Sequence, residues 1–417
     1  MQLPTELHEA IVRHLDRQDV ASYRLVSRKF ATTGLPQLFE RLHFRTSLQS
    51  LQRLASISQK DCGRYVKHLL WNTTGSEYEA RAFLKDLRMR DLKYVLGSPT
   101  PNLPSTTIQQ TPEENEPPNQ AEPNTNLGVF LLQTIFSGFS SLKGVYIITS
   151  GTHPNAFTAD GYARRTLLTS PHDPWPKPWK AKHGCPRCAG LCQAIQSPGR
   201  YEMQTALLAA HGASRPLSHL RVENLAFFAA KTSAALPGYE IGLRNLTHLE
   251  LVLTAPNRAL SEVRAVFEQV SGLRELKLWL HSSSWWEGVD HGRSGLRLQD
   301  VFPSEDSFPY LRTLEVHQVG VSQEFMTEFL LAHAQTLRTL KMHRIRLDPQ
   351  GSWPELFASV RGKLDALEVV WLHGDFEDEI EKGGWDMDAP RGRRLEAHLL
   401  GEEPECPIGE ENRCRLE

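Results

Sequence analysis

Four side chains of metal-binding types lie close together near the middle of the sequence. Cys185 and Cys188 are separated by two residues, Cys192 follows four residues later, and His183 precedes the pair. Zinc is held by about four thiolate or imidazole ligands in a tetrahedron, and a Cys-x-x-Cys turn supplies two of them. Because no second pair with matching spacing follows, three interpretations stay open: a zinc site, a redox pair, or free thiols in a loop. We keep these four residues as weak metal candidates and predict no cofactor.

The motifs of common catalytic sites are absent from the sequence. It contains no Gly-x-Ser-x-Gly elbow, no Gly-x-Gly-x-x-Gly turn, no phosphate-binding Gly-Lys-Ser/Thr loop and no His-Glu-x-x-His pair. The carboxylate-rich run at 377–381 is typical of a solvated surface rather than of a paired general acid and base. We therefore predict a protein that is not an enzyme.

Net charge, cysteine content and hydropathy limit the kinds of partner and compartment that we expect for this protein. The 417 residues carry a formal charge of −2, which gives no strong field for nucleic acid or for a membrane surface. Six cysteines do not make a disulfide framework in a chain of this length. The sequence has no signal-peptide pattern and no apolar run of about 18–20 residues. We expect a soluble protein of the cytoplasm or nucleus, with no nucleic-acid or membrane partner.

The first 45 residues predict three short helices. Pro4 suits the first turn of a helix, where its missing N–H would have no partner. Leucine or isoleucine then recurs every four residues and gives the first helix an apolar stripe. The stripe consists of Leu3, Leu7, Ile11 and Leu15. So small a unit buries too little surface to be stable alone, so it needs a partner or the rest of the chain.

Three linked motifs in this region resemble the F-box family, in the form found in fungal proteins. They are Leu3-Pro4, then Leu15-Asp16-x-x-Asp19-Val20, then Leu25-Val26-Ser27-Arg28-x-Phe30. The sequence departs from the family at His8, where an aliphatic residue is common. The alternative is an ordinary helical hairpin that caps the next domain.

The resemblance implies a partner. An F-box docks a Skp-type adaptor and through it a cullin–RING ubiquitin ligase, while the rest of the chain binds a target protein. The residues that it assigns to adaptor contact, or to its support, are Leu3, Pro4, Leu7, Ile11, Leu15, Val20, Leu25, Val26 and Phe30. Two other functions stay open: a repeat scaffold that binds the adaptor without promoting degradation, and a zinc-binding protein that uses the Cys185 loop.

An apolar-x-x-apolar-x-apolar hexad recurs along the rest of the chain. Its starts are Phe39, Val66, Leu142, Leu217, Leu246, Leu273, Leu311, Leu337 and Leu364. Five of the eight intervals are 26–29 residues, the period of leucine-rich repeats. The polar residue that commonly follows the hexad in those repeats is missing. We predict an α/β fold, with the three-helix F-box followed by an irregular leucine-rich-repeat-like solenoid; the alternative is an α/β domain with coincidental spacing.

The residues between the second and third apolar positions alternate in charge over the last six hexads. They are Arg221, Glu250, Lys277, Glu315, Lys341 and Glu368. Parallel strands stacked in sequence order would place these opposite charges side by side.

Aromatic and imidazole side chains follow the hexads or occupy an insertion, and tryptophan is enriched in binding hot spots. The candidate target-binding residues are Trp279, Trp285, Trp286, His317 and His343, although Trp279 could equally be part of the core.

Shifts in composition predict five segments. Residues 1–45 form the F-box, and 46–97 a helical segment with the first repeats. Residues 98–126 are a disordered, proline-rich insertion, since 98–124 contain seven prolines and few large apolar side chains. The solenoid covers 127–374, with a long loop at 152–199. Residues 375–417 hold 14 acidic and 6 basic residues and are predicted to be an acidic tail.

Overall fold

The computed structural model divides the chain into two compact units. The first is Met1–Tyr146 with Met203–Leu217, and the second is Ile147–Glu202 with Ser218–Glu417. The structure describes residues 4–15, 17–73, 89–96, 127–148, 200–225, 238–254, 260–281, 297–348, 350–378, 383–387, 389–403, 406–407 and 414–415. The predicted insertion at 98–126 and loop at 152–199 lie outside these ranges. Within them, no helix is both long and apolar enough to cross a bilayer.

The first unit begins with the three predicted helices. They are α1 (Thr5–His14), α2 (Arg17–Tyr23) and α3 (Arg28–Phe39). Ser27 is the N-cap of α3, and its hydroxyl accepts a hydrogen bond from the Phe30 N–H at 3.2 Å. The further helices are α4 (Leu48–Ser58), a 3-10 helix (Asp61–Tyr65), α5 (Met89–Leu96), α6 (Leu127–Ser137) and most of α7 (Arg200–Gly212).

Three short strands lie in or begin in the first unit, and the last two residues of the third, Ile147 and Ile148, belong to the second unit. They are β1 (Arg41–Arg45), β2 (His68–Asn72) and β3 (Gly144–Ile148), in that order across the sheet. β1 and β2 are parallel, and Phe44 lies opposite Trp71. Both side chains are almost fully buried because alternate residues of these strands face the helices.

The second unit contains a row of six parallel strands. In spatial order they are β4 (His219–Leu225), β5 (His248–Thr254), β6 (Glu275–His281), β7 (Thr313–His317), β9 (Thr339–His343) and β11 (Val369–Asp378). The shorter strands are β8 (Gly320–Val321), β10 (Arg346–Leu347), β12 (Gly383–Met387) and β13 (Cys414–Arg415). The helices are α8 (Glu240–Leu243), α9 (Leu260–Glu268), α10 (Leu298–Val301), α11 (Gln323–Ala332), α12 (Trp353–Val360) and α13 (Ala389–Leu399).

The register of these strands aligns the predicted hexads. Leu249, Leu276, Leu314 and Leu340 lie opposite one another in successive strands, and all four are buried. The prediction that the strands stack in sequence order is therefore confirmed for β4 to β11. The same residues form the core because every second side chain of a strand points to one face.

The last hexad is out of frame with the prediction. Val370 lies opposite Leu340 and Leu372 opposite Met342, so the hexad in use starts at Leu367 rather than at Leu364. The prediction was wrong by three residues because the sequence fits the pattern in both frames. Glu368 consequently lies outside the strand and forms an exposed ion pair with Arg338 at 3.0 Å.

Repeated hydrogen bonds join neighbouring repeats of the second unit at both ends of the helices. The Ser218 carbonyl accepts the N–H groups of Thr247 and His248, and the carbonyl that precedes each later strand does the same for the next one. On the helical side, the Gln323 side chain accepts the N–H of Ser352, the N-cap residue of α12, at 2.6 Å. Gln299 and Ser322 repeat this contact for α11 at 3.2 Å. The repeats lack the polar residue that commonly follows the hexad in leucine-rich repeats, and these hydrogen bonds link them instead.

The predicted acidic tail contains regular structure. β11 continues to Asp378, β12 pairs with it antiparallel, and α13 packs against it. Over Val369–His373, β11 is paired with β9 alone among the described strands. A side chain at Gly392 of α13 would place its Cβ 2.9 Å from the Leu372 carbonyl oxygen, so the helix approaches the strand closely. A helix on a final strand protects it from pairing with another chain.

Candidate functional site

Several of the predicted site residues lie outside the described part of the chain. They are Cys185, Cys188, Cys192, His183, Trp285 and Trp286. Among the residues that the structure does describe, no group of three or more His, Cys, Asp or Glu side chains is arranged to hold a metal ion. The predicted site residues that the structure describes lie in two regions, the first three helices of the first unit and the sheet of the second unit.

The segment from α1 to the start of α3 exposes four large aliphatic side chains. Leu7 and Ile11 of α1 are 49% and 41% exposed, and Leu25 and Val26, between α2 and α3, are 88% and 68% exposed. Leu7 and Ile11 lie one turn apart on α1, and a contiguous exposed apolar patch is a common mark of an interaction site. Val20, from the same predicted set, is fully buried and supports the helices from inside.

An aromatic cluster holds the three helices together behind this surface. The Nδ1 atom of His8 lies 2.6 Å from the Tyr23 hydroxyl, and Tyr23 stacks on Phe30 with 4.5 Å between ring centroids. His8 and Val12 are buried one position along α1 from the exposed Leu7 and Ile11. His8, the residue that departs from the family pattern, therefore belongs to the core of this unit.

The other members of the predicted set are exposed, half-buried or outside the described residues. Pro4 is exposed directly before α1, while Leu15 and Phe30 are half-buried. Leu3 lies outside the described residues. The predicted set therefore contains both surface and core positions, a division that sequence reasoning left open.

One face of the second unit's sheet carries a row of charges that alternate in sign from strand to strand. This face lies opposite the one that buries the apolar residues of the hexads. The paired positions of β4, β5, β6, β7 and β9 hold Arg221, Glu250, Lys277, Glu315 and Lys341. The predicted alternation is present over these five strands. In β11 the position holds Trp371, which lies opposite Lys341, instead of the predicted Glu368.

Each cation of this row has a carboxylate partner. The pairs are Arg221 with Glu223 and Glu250 at 2.9 Å each, Lys277 with Glu275 at 2.9 Å, and Lys341 with Glu315 at 3.6 Å. The charges of this face are therefore compensated within the molecule.

The two carboxylates of the row, Glu250 and Glu315, differ in the direction of their pKa shifts. It raises the pKa of Glu250 to about 7, although Arg221 and Lys277 favour the ionised form. Burial acts in the same direction on Glu315, but a hydrogen bond from His317 and the charge of Lys341 hold the pKa of Glu315 below its ordinary value. Glu315 is thus ionised at neutral pH, whereas burial favours the protonated form of Glu250.

Five rings lie side by side at one end of the same face, and we call them the ring strip. They are Trp279, His317, His343, Trp371 and His373. Ring centroids are 5.2 Å apart between Trp279 and His317, and 5.3 Å apart between His317 and His343. His373 continues the strip at 5.4 Å from His343 and 5.3 Å from Trp371.

The two central imidazoles of the ring strip are uncharged. Burial lowers the pKa of His317, and it lowers the pKa of His343 to about 3. The Nε2–H group of His317 donates to Glu315 at 3.0 Å. Neutral rings of this kind bind other side chains by packing and edge contacts rather than by charge.

Sequence reasoning found three of the five rings. Trp279, His317 and His343 were predicted, and the structure brings them together. Trp371 and His373 were missed because the hexad was read from Leu364. The frame that starts at Leu367 would have placed both on this face.

Comparison with known families bears on the first of the two regions. The model of the F-box domain family matches residues 1–33, which confirms the resemblance of that segment. No curated protein matches the chain.

Proposed function

Since the chain carries an F-box domain at residues 1–33, we propose that it is the target-recognition subunit of an SCF-type cullin–RING ubiquitin ligase. An F-box is a protein-interaction domain that binds Skp-type adaptors, and it has no catalytic role of its own. The proposed mechanism is proximity. Holding a target beside the ligase raises its effective concentration without any chemistry in this chain.

The observation that carries the adaptor half of the proposal is the exposed apolar surface of the first unit. Leu7, Ile11, Leu25 and Val26 expose apolar surface whose removal from water by a bound adaptor is favourable. Fully burying an exposed aliphatic side chain contributes about 1.5–3 kcal/mol, and Leu7 and Ile11, which are about half exposed, contribute about half of that. The aromatic cluster behind them supports a rigid arrangement, which lowers the entropy cost of binding.

The target half rests on the sheet face of the second unit. Its compensated charges and its ring strip form a broad polar and aromatic surface in which tryptophan, a frequent hot-spot residue, occurs twice. Solenoids of stacked repeats use such an extended face for protein binding. The leucine-rich-repeat-like solenoid is part of this proposal, supported by the parallel strands, their aligned hexads and the bonds between repeats.

Adaptor docking is tested by charging the exposed stripe of α1. We expect Leu7→Asp combined with Ile11→Asp to weaken capture of the Skp-type adaptor about a hundredfold, since each residue is treated as a hot spot worth about tenfold or more. The measurement is quantitative affinity capture of the full chain followed by mass spectrometry.

The matched control is Ile241→Asp in α8. Ile241 is 42% exposed, almost the same as Ile11, but it lies in the second unit. It should leave adaptor capture unchanged. Retained capture in the double variant, or an equal loss in the control, would refute docking through α1.

A further inference from the structure

We propose that the target is recognised through an uncharged, unphosphorylated segment whose aromatic side chain packs on the ring strip of the second unit. This inference rests on the proposed function and names the chemistry of its target. It commits to stacking as the source of affinity and predicts that a phosphate on the target adds nothing to binding.

The first argument is the composition of the strip. Trp279, Trp371 and three imidazoles are among the side chains of four neighbouring strands on this face, with centroid distances of 5.2 to 5.4 Å along the strip. His373 is exposed and Trp371 half-buried, so ring surface is open to a partner. Aromatic pairs contribute beyond the area that they bury, and they favour offset or edge contacts at this spacing.

The second argument is charge. A phosphorylated segment needs free cations, usually arginines, that can form charge-assisted hydrogen bonds with its oxygens. The three Lys and Arg residues at the outward positions of β4–β9 are already bound to carboxylates. Releasing one of them for a phosphate would leave a partly buried carboxylate without its partner, which costs free energy.

The third argument is the state of the imidazoles. His317 is tied to Glu315 and neutral, and desolvation keeps His343 neutral as well. Two neutral imidazoles at the centre of the strip do not attract an acidic segment by charge, and they favour a partner that contributes a flat ring.

The test is a peptide display selection on the full chain purified with its Skp-type adaptor. The probes are uncharged random peptides, followed by an array in which each selected peptide is made with its aromatic residue, with alanine there, and with an added phosphoserine. We expect aromatic peptides to be selected and alanine to weaken binding at least about tenfold. Phosphoserine should give no gain.

Variants of the chain assign this binding to the ring strip. Trp371→Ala and His373→Ala should each weaken the same peptides, about tenfold for the tryptophan, while Trp371→Phe retains most of the binding. The control is Tyr310→Ala, an exposed aromatic residue of the same unit outside the strip. Tighter binding of the phosphoserine peptides in the array, selection of no aromatic peptide, or undiminished binding to both alanine variants would overturn the inference.

Adaptor capture from the same preparations separates this inference from the proposed function. If the adaptor is retained but peptide binding ignores the strip, only the target chemistry is refuted. If peptides bind the strip but no adaptor is captured, the ligase function fails and the binding chemistry stands.

Discussion

Glu250 makes the stability of the second unit depend on pH. Its ordinary pKa of 4.5 is raised to about 7 in the folded chain by burial, so folding favours its protonated form. Below about pH 4.5 both states hold the proton and the full contribution is present. Between about pH 4.5 and 7 the unfolded chain loses the proton first, so this contribution to the free energy of unfolding falls as the pH rises.

Glu250→Gln keeps the side chain neutral at every pH. We expect its free energy of unfolding to fall less than that of the unmodified chain between about pH 5 and 8, as measured by chemical denaturation. Glu368→Gln is the control because it makes the same change at an exposed carboxylate outside the strand row. The same pH dependence in the unmodified chain and the Glu250 variant would contradict the assigned burial of Glu250.

At the level of single residues, sequence gives types and spacing but not the direction that a side chain faces. The stripe through Leu7 and Ile11 was predicted, yet His8 and Val12 have the same four-residue spacing and face the core instead. A helix with two apolar stripes does not reveal which one meets its own domain. Trp371 and His373 were not predicted as site residues for a related reason: the sequence fits the hexad equally well from Leu364 and from Leu367.

The contact between α13 and β11 is predicted to stabilise the end of the strand row. Gly392→Val would place a Cβ only 2.9 Å from the Leu372 carbonyl oxygen, which is closer than normal contact. We expect the free energy of unfolding to fall by about 1–3 kcal/mol, the usual cost of overpacking. Hydrogen exchange should become faster in the amides of 369–373.

Arg393→Val in the same helix is the matched control. Arg393 is exposed, so the same new residue creates no clash there. Equal exchange rates in the two variants would mean that α13 does not hold the strand.

At the level of elements, sequence predicted the parallel strand row but not its end. Strands repeat a local pattern that a short window contains, whereas α13 is polar overall and lies in a segment with an acidic excess. The contacts that fix α13 are a glycine against a carbonyl and two buried leucines, Leu395 and Leu399. Such contacts depend on a strand some 20 residues earlier and carry no signal of their own in the sequence.

The two units divide the proposed work between them. The first combines the F-box with a short parallel sheet, and the second holds the charge row and the ring strip. The F-box was predictable because its linked motifs lie within 30 residues. The identity of the target is not encoded in any such motif, since a binding face is assembled from strands that lie far apart in the chain.

The central claim is that this chain brings bound targets to a ubiquitin ligase through its F-box, and protein abundance tests it most directly. Cells in which the chain is replaced by the Leu7→Asp, Ile11→Asp variant are compared by quantitative proteomics with cells that carry Ile241→Asp. We predict that proteins captured by the second unit accumulate with the double variant and stay at their normal level with the control. Unchanged abundance of the captured proteins, with adaptor binding lost, would contradict the account and favour a scaffold that does not promote degradation.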